Sequence, residues 1–287
     1  MSKHAREYFR FNVSHRIEHI LLLLTFTVLT VTGIPQKYAS AAWASGAIGL
    51  MGGIELTRQI HHVAAVLLML AAIYHGGAVT YRVFVKRVRL AMMPGLQDVK
   101  DGFQAMGYNV GLVKTPPRMG RYNFGEKIEY WAVIWGTVIM VITGFMLWNP
   151  IATTKFLPGQ AIPAAKAAHG AEAVLAALSI ITWHAYHVHI KWFNRSMFTG
   201  SLTHEQMEEE HALELEEIEA GVEESPIPPA VMRRRLLVFY PAAIVISVTL
   251  LAAVYWFVTL EETAITTIPR QDAPVFVPIT PTPEGGL

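Results

Sequence analysis

The chain of 287 residues lacks cysteine and carries little charge, with Asp, Glu, Lys and Arg together making up only 16% of it. Without cysteine, the chain cannot be a disulfide scaffold or hold a metal cluster through thiolates. The formal net charge of +1 is far from the strongly basic balance that nucleic-acid binding favours, so it gives no reason to propose such a partner. The hydrophobic residues, which form 53% of the chain, are gathered into long blocks. This distribution excludes a disordered chain and is typical of an integral membrane protein.

Five apolar stretches are long enough to cross a bilayer core, which needs roughly 20 helical residues. A segment inside the membrane must satisfy its own backbone hydrogen bonds, and this favours helices. We therefore predict an all-α membrane bundle whose five transmembrane helices lie at approximately Ile17–Ile34, Ile60–Val85, Ile128–Trp148, Ala167–Phe193 and Leu236–Leu260. The first stretch carries polar groups at its start, so we interpret it as a retained anchor rather than a cleaved signal peptide.

The basic residues predict the orientation of this bundle. Eighteen Lys and Arg flank the spans on the side of the N-terminus, and five lie on the opposite side. Cytoplasmic loops carry the excess of such residues. We expect a multi-pass protein of a bacterial or archaeal cytoplasmic (inner) membrane, with its N-terminus cytoplasmic and its C-terminus outside.

The predicted spans contain several histidines, which is unusual. Ionisable residues within a membrane indicate a functional site. His61 and His75 are fourteen residues apart on the second span, and His169 and His184 are fifteen apart on the fourth. Both separations are about 21–22 Å along a helix and close to a whole number of turns. Each helix therefore presents two histidines on roughly one face, one near each membrane surface. His19, on the first span, lies at the depth of His184.

Two layers of imidazoles suit two haems stacked across a bilayer, since six-coordinate haem iron takes two axial ligands. The outer pair is predicted to be His61 and His169. The inner haem takes His184 with either His19 or His75. Without cysteine there is no covalent attachment, so the haems are b-type. Zinc is a competing metal, but it prefers ligands in one tight tetrahedron to ligands in two separated layers.

The remaining histidines divide into two groups. Those expected to be packed or surface residues are His4, His204 and His211. Those near span ends, expected to be interfacial or to support the ligands, are His15, His62, His187 and His189.

Several motifs accompany these histidines. They are Arg16-Ile-Glu-His19 leading to Thr32-Gly33, Arg58-Gln-Ile-His61, Arg121-Tyr-Asn-Phe-Gly-Glu-Lys127, and His169 with His184-Ala-Tyr186. Over roughly residues 10 to 215 the sequence resembles the cytochrome b (gamma) subunits of respiratory formate dehydrogenases. More broadly, it is similar to the b-type cytochromes of nickel–iron hydrogenases and thiosulfate reductases. The Arg-Tyr-Asn-x-Gly-Glu-Lys stretch is the most specific part of this resemblance.

The resemblance implies that His19 and His184 hold the cytoplasmic-side haem and that His61 and His169 hold the outer one. It also implies that the stretch containing Asn123 borders a quinone pocket beside the inner haem. The residues assigned to this cofactor region are Asn123, Gly125, Glu126, His15, His187 and His189. The alternative for residues 123–127 is a plain helix cap at the membrane boundary.

Two features depart from the family pattern. His75 is extra, and the 61/75 and 169/184 spacing is similar to that in the cytochrome b of quinol–cytochrome c oxidoreductases, so the second inner ligand stays open. A third haem, held by His19 and His189, is also possible arithmetically. The fifth span is additional too, and it is either a docking element or a simple extra anchor.

The predicted organisation is a four-helix di-haem cytochrome b domain at 1–200, a cytoplasmic acidic helix and Pro-rich linker at 201–232, the fifth transmembrane helix at 233–260, and an extracytoplasmic tail at 261–287. The acidic helix, Thr203–Glu224, opens with a capping box at Thr203 and Gln206 and is expected to be a solvated surface element. Ser225-Pro-Ile-Pro-Pro229 is expected to form a short stiff linker.

The function that follows is electron transfer in a membrane-bound respiratory oxidoreductase complex. Electrons pass between a redox-active partner subunit on the outer side, an iron–sulphur or c-type cytochrome protein, and menaquinone or ubiquinone in the lipid bilayer. The chain has no soluble catalytic motif that we recognise, so substrate chemistry is expected in the partners. The rival hypotheses are a transporter with a histidine proton relay and a membrane anchor without redox activity.

Overall fold

The computed structural model describes residues 6–222 and 227–260, and these are predominantly helical. The helices in chain order are α1 (Val13–Lys37), α2 (Ala42–Leu50), α3 (Ile54–Thr80), α4 (Leu96–Asn109), α5 (Phe124–Trp148), α6 (Pro150–Thr154), α7 (Ala161–Ser179), α8 (Ser196–Thr199), α9 (His204–Glu210), α10 (Ala212–Glu219) and α11 (Pro229–Thr259). Helix α3 continues as a π-helical turn at Tyr81–Val85, and α7 continues as two, at Ile180–His184 and Tyr186–Lys191.

Within the described ranges, five helices are long and apolar enough to cross a membrane: α1, α3, α5, α7 and α11. The predicted number of spans is therefore confirmed. The first span begins earlier than predicted, at Val13, because the side chain of Asn12 caps the helix by accepting the amide of His15 at 3.0 Å. It also runs through Pro35 to Lys37.

The spans pack as two helix pairs with an added helix. Helix α1 packs mainly on α3, and α5 packs mainly on α7, while α1 also contacts α7. Helix α11 lies against α3 and the end of α5, where Trp256 stacks on Phe145 with ring centroids 5.6 Å apart. Large apolar side chains are exposed along all five helices. Such an extended apolar surface is what lipid contact requires.

A small cap closes the end of the bundle at which α1 begins. Strand β1 (Glu7–Phe9) pairs antiparallel with strand β2 (Ser201–Thr203) and joins the N-terminal arm to the segment after α7. The buried side chains beneath this sheet are Tyr8, Leu202, Met207 and Leu215. The strands are only three residues long, so this packing and the adjoining helices hold them in place.

The acidic segment is part of this cap, and here the prediction needs correction. The capping box at Thr203 and Gln206 is present, with the Gln206 amide donating to Thr203 Oγ1 at 3.3 Å. The segment is not one solvated helix, because it divides into α9 and α10 at His211, which is 1% exposed. Its inner face is buried against the N-terminal arm. The predicted linker falls partly, and the predicted tail entirely, outside the described residues.

Candidate functional site

Two pairs of histidine rings face each other between the helices. In the first pair, His61 on α3 and His169 on α7 have ring centroids 6.4 Å apart. In the second, His19 on α1 and His184 at the end of α7 have ring centroids 6.3 Å apart. The pairs lie near opposite ends of the bundle, as the depth argument predicted.

Each ring of the first pair is oriented by a threonine hydroxyl. Thr32 Oγ1 lies 2.9 Å from Nδ1 of His61, and Thr143 Oγ1 lies 2.9 Å from Nδ1 of His169. Each hydroxyl also donates to a backbone carbonyl one turn earlier in its own helix, at 2.7 Å in both cases. Because that donation uses the hydroxyl hydrogen, the threonine oxygen accepts from the imidazole Nδ1–H. This tautomer leaves Nε2 with a free lone pair, the form that binds a metal.

A glycine follows each of these threonines and leaves room for the ring. A Cβ added at Gly33 would lie 3.0 Å from Cε1 of His61, which is tighter than ordinary contact. A Cβ added at Gly144 would lie 3.5 Å from Cε1 of His169. The repeated Thr-Gly dipeptide therefore supplies both a hydrogen-bond acceptor for the imidazole N–H and the space that the ring occupies.

The second pair is held by a carboxylate on one side. Nδ1 of His184 lies 3.0 Å from Oε2 of Glu129 on α5, and a carboxylate can only accept from it. Nδ1 of His19 is buried and has no hydrogen-bond partner within the described part of the chain.

The ring separations match axial ligation. A metal–imidazole bond is about 2.0 Å, and the centre of a five-membered ring lies about 1.15 Å from its nitrogen, so a collinear pair has centroids about 6.3 Å apart. Among the described residues, no group of three or more His, Cys, Asp or Glu is arranged to hold a metal ion. A pair of imidazoles suffices only when a porphyrin supplies the equatorial ligands. The donor sets therefore fit haem.

His75 lies in a separate polar contact. Its Nδ1 is 2.6 Å from Oε2 of Glu18, and its Nε2 is 3.0 Å from the hydroxyl of Tyr130. Of the two candidates that the sequence left open, the structure brings His19 opposite His184. His19 faces that ring and not His189, which packs on Phe193 with ring centroids 6.0 Å apart.

The proposed quinone stretch forms the start of α5. Asn123 Oδ1 accepts the Glu126 amide at 2.8 Å, and Glu126 Oε2 accepts the Asn123 amide at 2.8 Å. This is the helix cap that the sequence offered as an alternative. A Cβ added at Gly125 would lie 3.3 Å from the indole of Trp183, the residue before His184. The cap therefore also places this stretch beside the second histidine pair.

The other predicted groups lie at the same end of the bundle. Nε2 of His15 is 2.6 Å from Nη1 of Arg82, at the end of α3. Nδ1 of His187 donates to the Trp183 carbonyl at 2.8 Å. Neither ring faces another histidine, so neither belongs to the two facing pairs.

A buried charge cluster, which the sequence did not predict, lies between the cap and the bundle. The guanidinium of Arg10 donates to the Arg121 carbonyl, and Arg121 donates to the Arg10 carbonyl at 3.0 Å. Glu214 on α10 binds both, with 2.6 Å between its Oε1 and Nη1 of Arg121. Arg10 is 2% exposed, and this burial lowers its pKa to about 10. We call Arg10, Arg121 and Glu214 the arginine clamp.

His211 adjoins the arginine clamp and is kept neutral. Its Nδ1 donates to the Gly120 carbonyl at 3.0 Å, and its Nε2 accepts from Nη2 of Arg10 at 3.4 Å. Burial, followed by the charge of Arg10, lowers the pKa of this imidazole to about 3. The ring therefore serves as a hydrogen-bond acceptor for a cation and not as a cation itself.

Known proteins resemble the chain over 47–70% of its length, although no protein-family model matches it. The cytochrome b556(fdo) subunit of formate dehydrogenase from Escherichia coli K12 is 25% identical over 180 residues, which are 62% of this chain and 76% of the relative. The cytochrome b556(Fdn) subunit of the nitrate-inducible formate dehydrogenase from the same organism is 20% identical over 207 residues, 70% of this chain and 87% of the relative. The formate dehydrogenase cytochrome b556 subunit of Haemophilus influenzae is 24% identical over 135 residues, 47% of this chain and 51% of the relative. The chain is therefore a homologue of the cytochrome b556 subunits of formate dehydrogenases, and the family resemblance that its motifs indicated is confirmed.

Proposed function

We propose that the chain is the membrane cytochrome b subunit of a respiratory oxidoreductase complex and connects a redox partner on the outer side to the quinone pool. The observation that carries this proposal is the presence of two histidine pairs, with centroids 6.4 and 6.3 Å apart, at two depths of a membrane bundle. The names of the relatives, all cytochrome b556 subunits of formate dehydrogenases, support it.

In this proposal, His61 with His169 would hold one haem, and His19 with His184 would hold the other. Two b haems held by these pairs would supply one-electron transfer across the bilayer. The role of the chain's own residues is to fix the ring tautomers. In His61, His169 and His184, the threonine and glutamate contacts to Nδ1 would leave Nε2 for the iron and raise the donor strength of the imidazole.

The quinone, menaquinone or ubiquinone, is proposed to bind at the start of α5 on the cytoplasmic side. Asn123 uses its Oδ1 in the helix cap, so its Nδ2–H2 group is the donor that it can offer to a quinone carbonyl. Gly125 keeps the backbone close to Trp183 and so close to His184. Glu126, His15 and His187 are the titratable side chains that this end of the bundle offers for proton exchange.

The partner is proposed to be an iron–sulphur or c-type cytochrome subunit that meets the His61–His169 end of the bundle. The oxidation or reduction of the soluble substrate takes place in the partner subunits, with formate as the first substrate to test because of the relatives' names.

Haem counting on the purified complex tests the assignment. The pyridine haemochrome assay should give two haems per chain, and two components should appear in a redox titration. His169→Ala and His184→Ala should each remove one haem and stop quinone reduction. The matched control is His62→Ala, because His62 follows His61 directly and stacks on Trp148 with ring centroids 3.7 Å apart. This variant should keep both haems.

Two outcomes would contradict the proposal. A colourless complex would favour the proton-relay or anchor hypotheses. If His169→Ala retained both haem signals, the assignment of the first pair would be wrong.

A further inference from the structure

The sequences that open α1 and α5 are alike position by position. Arg-Phe-Asn-Val-Ser-His-Arg-Ile-Glu-His at 10–19 aligns without gaps with Arg-Tyr-Asn-Phe-Gly-Glu-Lys-Ile-Glu-Tyr at 121–130. The offset is 111 residues, and the same offset relates Thr32-Gly33 to Thr143-Gly144. The first helix of each pair, α1 or α5, therefore shares one sequence pattern, which runs from the arginine before the helix to the Thr-Gly dipeptide near its other end.

The aligned residues make equivalent contacts at the helix starts. Asn12 caps α1 by accepting an amide at 3.0 Å, and Asn123 caps α5 by accepting one at 2.8 Å. Arg10 and Arg121 each donate to the carbonyl of the other, and both bind Glu214. The reciprocal contacts of Arg10 and Arg121 are therefore those expected of two residues related by a two-fold axis between the helix pairs.

Equivalent contacts also recur between the helices of each pair. In both pairs, the threonine of the first helix binds Nδ1 of a histidine near the start of the second, at 2.9 Å. The glutamates follow the same rule: Glu18 binds Nδ1 of His75 at 2.6 Å, and Glu129 binds Nδ1 of His184 at 3.0 Å. His75 is therefore the counterpart of His184.

The two-fold relation maps the first histidine pair onto itself, since it exchanges His61 with His169. It maps the second pair, His19 and His184, onto Tyr130 and His75. This mapped pair is also in contact, with ring centroids 5.8 Å apart and 3.0 Å between the tyrosine hydroxyl and Nε2 of His75. The position of the second haem pair thus has a counterpart in which tyrosine replaces one histidine.

The counterpart has the surroundings of a ligand site but is closed. Tyrosinate can bind haem iron, but an iron between two ligand atoms needs them about 4 Å apart, and these atoms are 3.0 Å apart. A Cβ added at Gly76 or Gly77, next to His75 in the sequence, would meet nothing within 4 Å, so the space beside these two glycines is open. The long tyrosine side chain is what fills the space between the ring and α5.

We propose that His75 and Tyr130 form a closed haem-type axial site, the counterpart of the His19–His184 site in a duplicated helix pair. Tyr130 is the specificity-determining residue that limits this end of the bundle to one haem. The inference rests on the proposed function, because it uses the His19–His184 pair as an axial pair.

Replacing Tyr130 with histidine tests the proposal in the intact complex. Tyr130→His shortens the side chain and supplies a second imidazole, so the pyridine haemochrome count should rise from two to three haems per chain. Tyr130→Phe is the matched control, since it removes the hydrogen bond without adding a ligand, and it should stay at two. Adding His75→Ala to Tyr130→His should return the count to two.

A second measurement applies if Tyr130→His does not assemble. His75→Ala in the otherwise unchanged chain should keep both haems, and the loss of one would make His75 an axial ligand and overturn the proposal. An assembled Tyr130→His complex that holds only two haems would also overturn it. An unchanged chain without haem would instead contradict the proposed function, so the two failures are distinguishable.

Discussion

Glu214→Ala is expected to open the cap, because Glu214 is the shared anion of the arginine clamp. Arg10 is 2% exposed and Glu214 is 8% exposed, so their ion pair is buried. Removing one partner of a buried pair leaves an uncompensated charge and typically costs about 3–5 kcal/mol. Here the substitution leaves two neighbouring guanidinium groups without the carboxylate that they share. Arg121 is 38% exposed, and water compensates part of its loss, so the lower end of this range applies.

Native-state hydrogen exchange measures this loss where it occurs. The amide of Leu213 donates to the Met119 carbonyl at 3.0 Å and joins α10 to the loop before α5. A loss of about 3 kcal/mol corresponds to exchange roughly a hundredfold faster at the amides that the cap protects. The amides of β1 should be affected as well, whereas those in the middle of α5 should not change.

Glu216→Ala is the matched control for this prediction. Glu216 lies on the same helix and pairs with Arg118, but both side chains are more than half exposed. An exposed pair contributes about 0–1 kcal/mol, so exchange should rise by less than about fivefold. Equal acceleration in the two variants, or none in Glu214→Ala, would refute the reasoning that burial makes the arginine clamp a stabilising element.

Three further predictions concern the first histidine pair and the cap. Gly33→Ala should lower haem occupancy, because the new Cβ would lie 3.0 Å from the ring of His61, while Gly49→Ala should leave the haem count unchanged, since its Cβ meets nothing within 4 Å. Thr143→Val removes an imidazole N–H acceptor at the same site and should weaken haem retention about 10–100-fold in a haem-transfer assay, and unchanged retention would count against the tautomer argument. The folded pKa of His211 is about 3, below its unfolded value, so the stability that the neutral ring contributes is present above pH ~6.5 and falls by about 1.4 kcal/mol per unit toward pH 3. Cap hydrogen exchange between pH 7 and 5, corrected for intrinsic rates, should show this slope in the unchanged chain and lose it in His211→Asn.

The sequence predicts those parts of the fold that depend on one segment at a time. The five spans follow from the length of the apolar runs, because each helix satisfies its own backbone. The depths of His61 and His169 follow from their positions within those runs. The helix cap at Asn123 is also local, since its partner is three residues away.

Parts that depend on which helices are neighbours could not be predicted in this way. His19 and His75 lie at one depth on different helices, so depth alone does not decide which of them faces His184. The decision comes from packing, since α1 contacts α7 and places His19 there.

The cap was missed for a related reason. Its strands are three residues long and pair across about 190 residues of chain, and neither strand has enough residues to show a period-two pattern. The run of glutamates in α9 and α10 is typical of a solvated face, yet Glu214 is buried against Arg10. Because Arg10 lies about 200 residues earlier in the chain, no local pattern indicates this contact.

One additional residue in the second helix pair makes the duplication difficult to recognise in the sequence. The second helix of the first pair separates its histidines by fourteen residues, and that of the second pair by fifteen. In a straight α-helix the additional residue would rotate His184 by about 100° away from the direction that His75 has in its own pair. The π-helical turn at Ile180–His184 takes up that residue and returns the ring to the equivalent direction, so that Glu129 reaches it as Glu18 reaches His75. Equivalence between the helix pairs is therefore preserved in the contacts and not in the spacing. The backbone irregularity of α7 is what places His184 opposite His19.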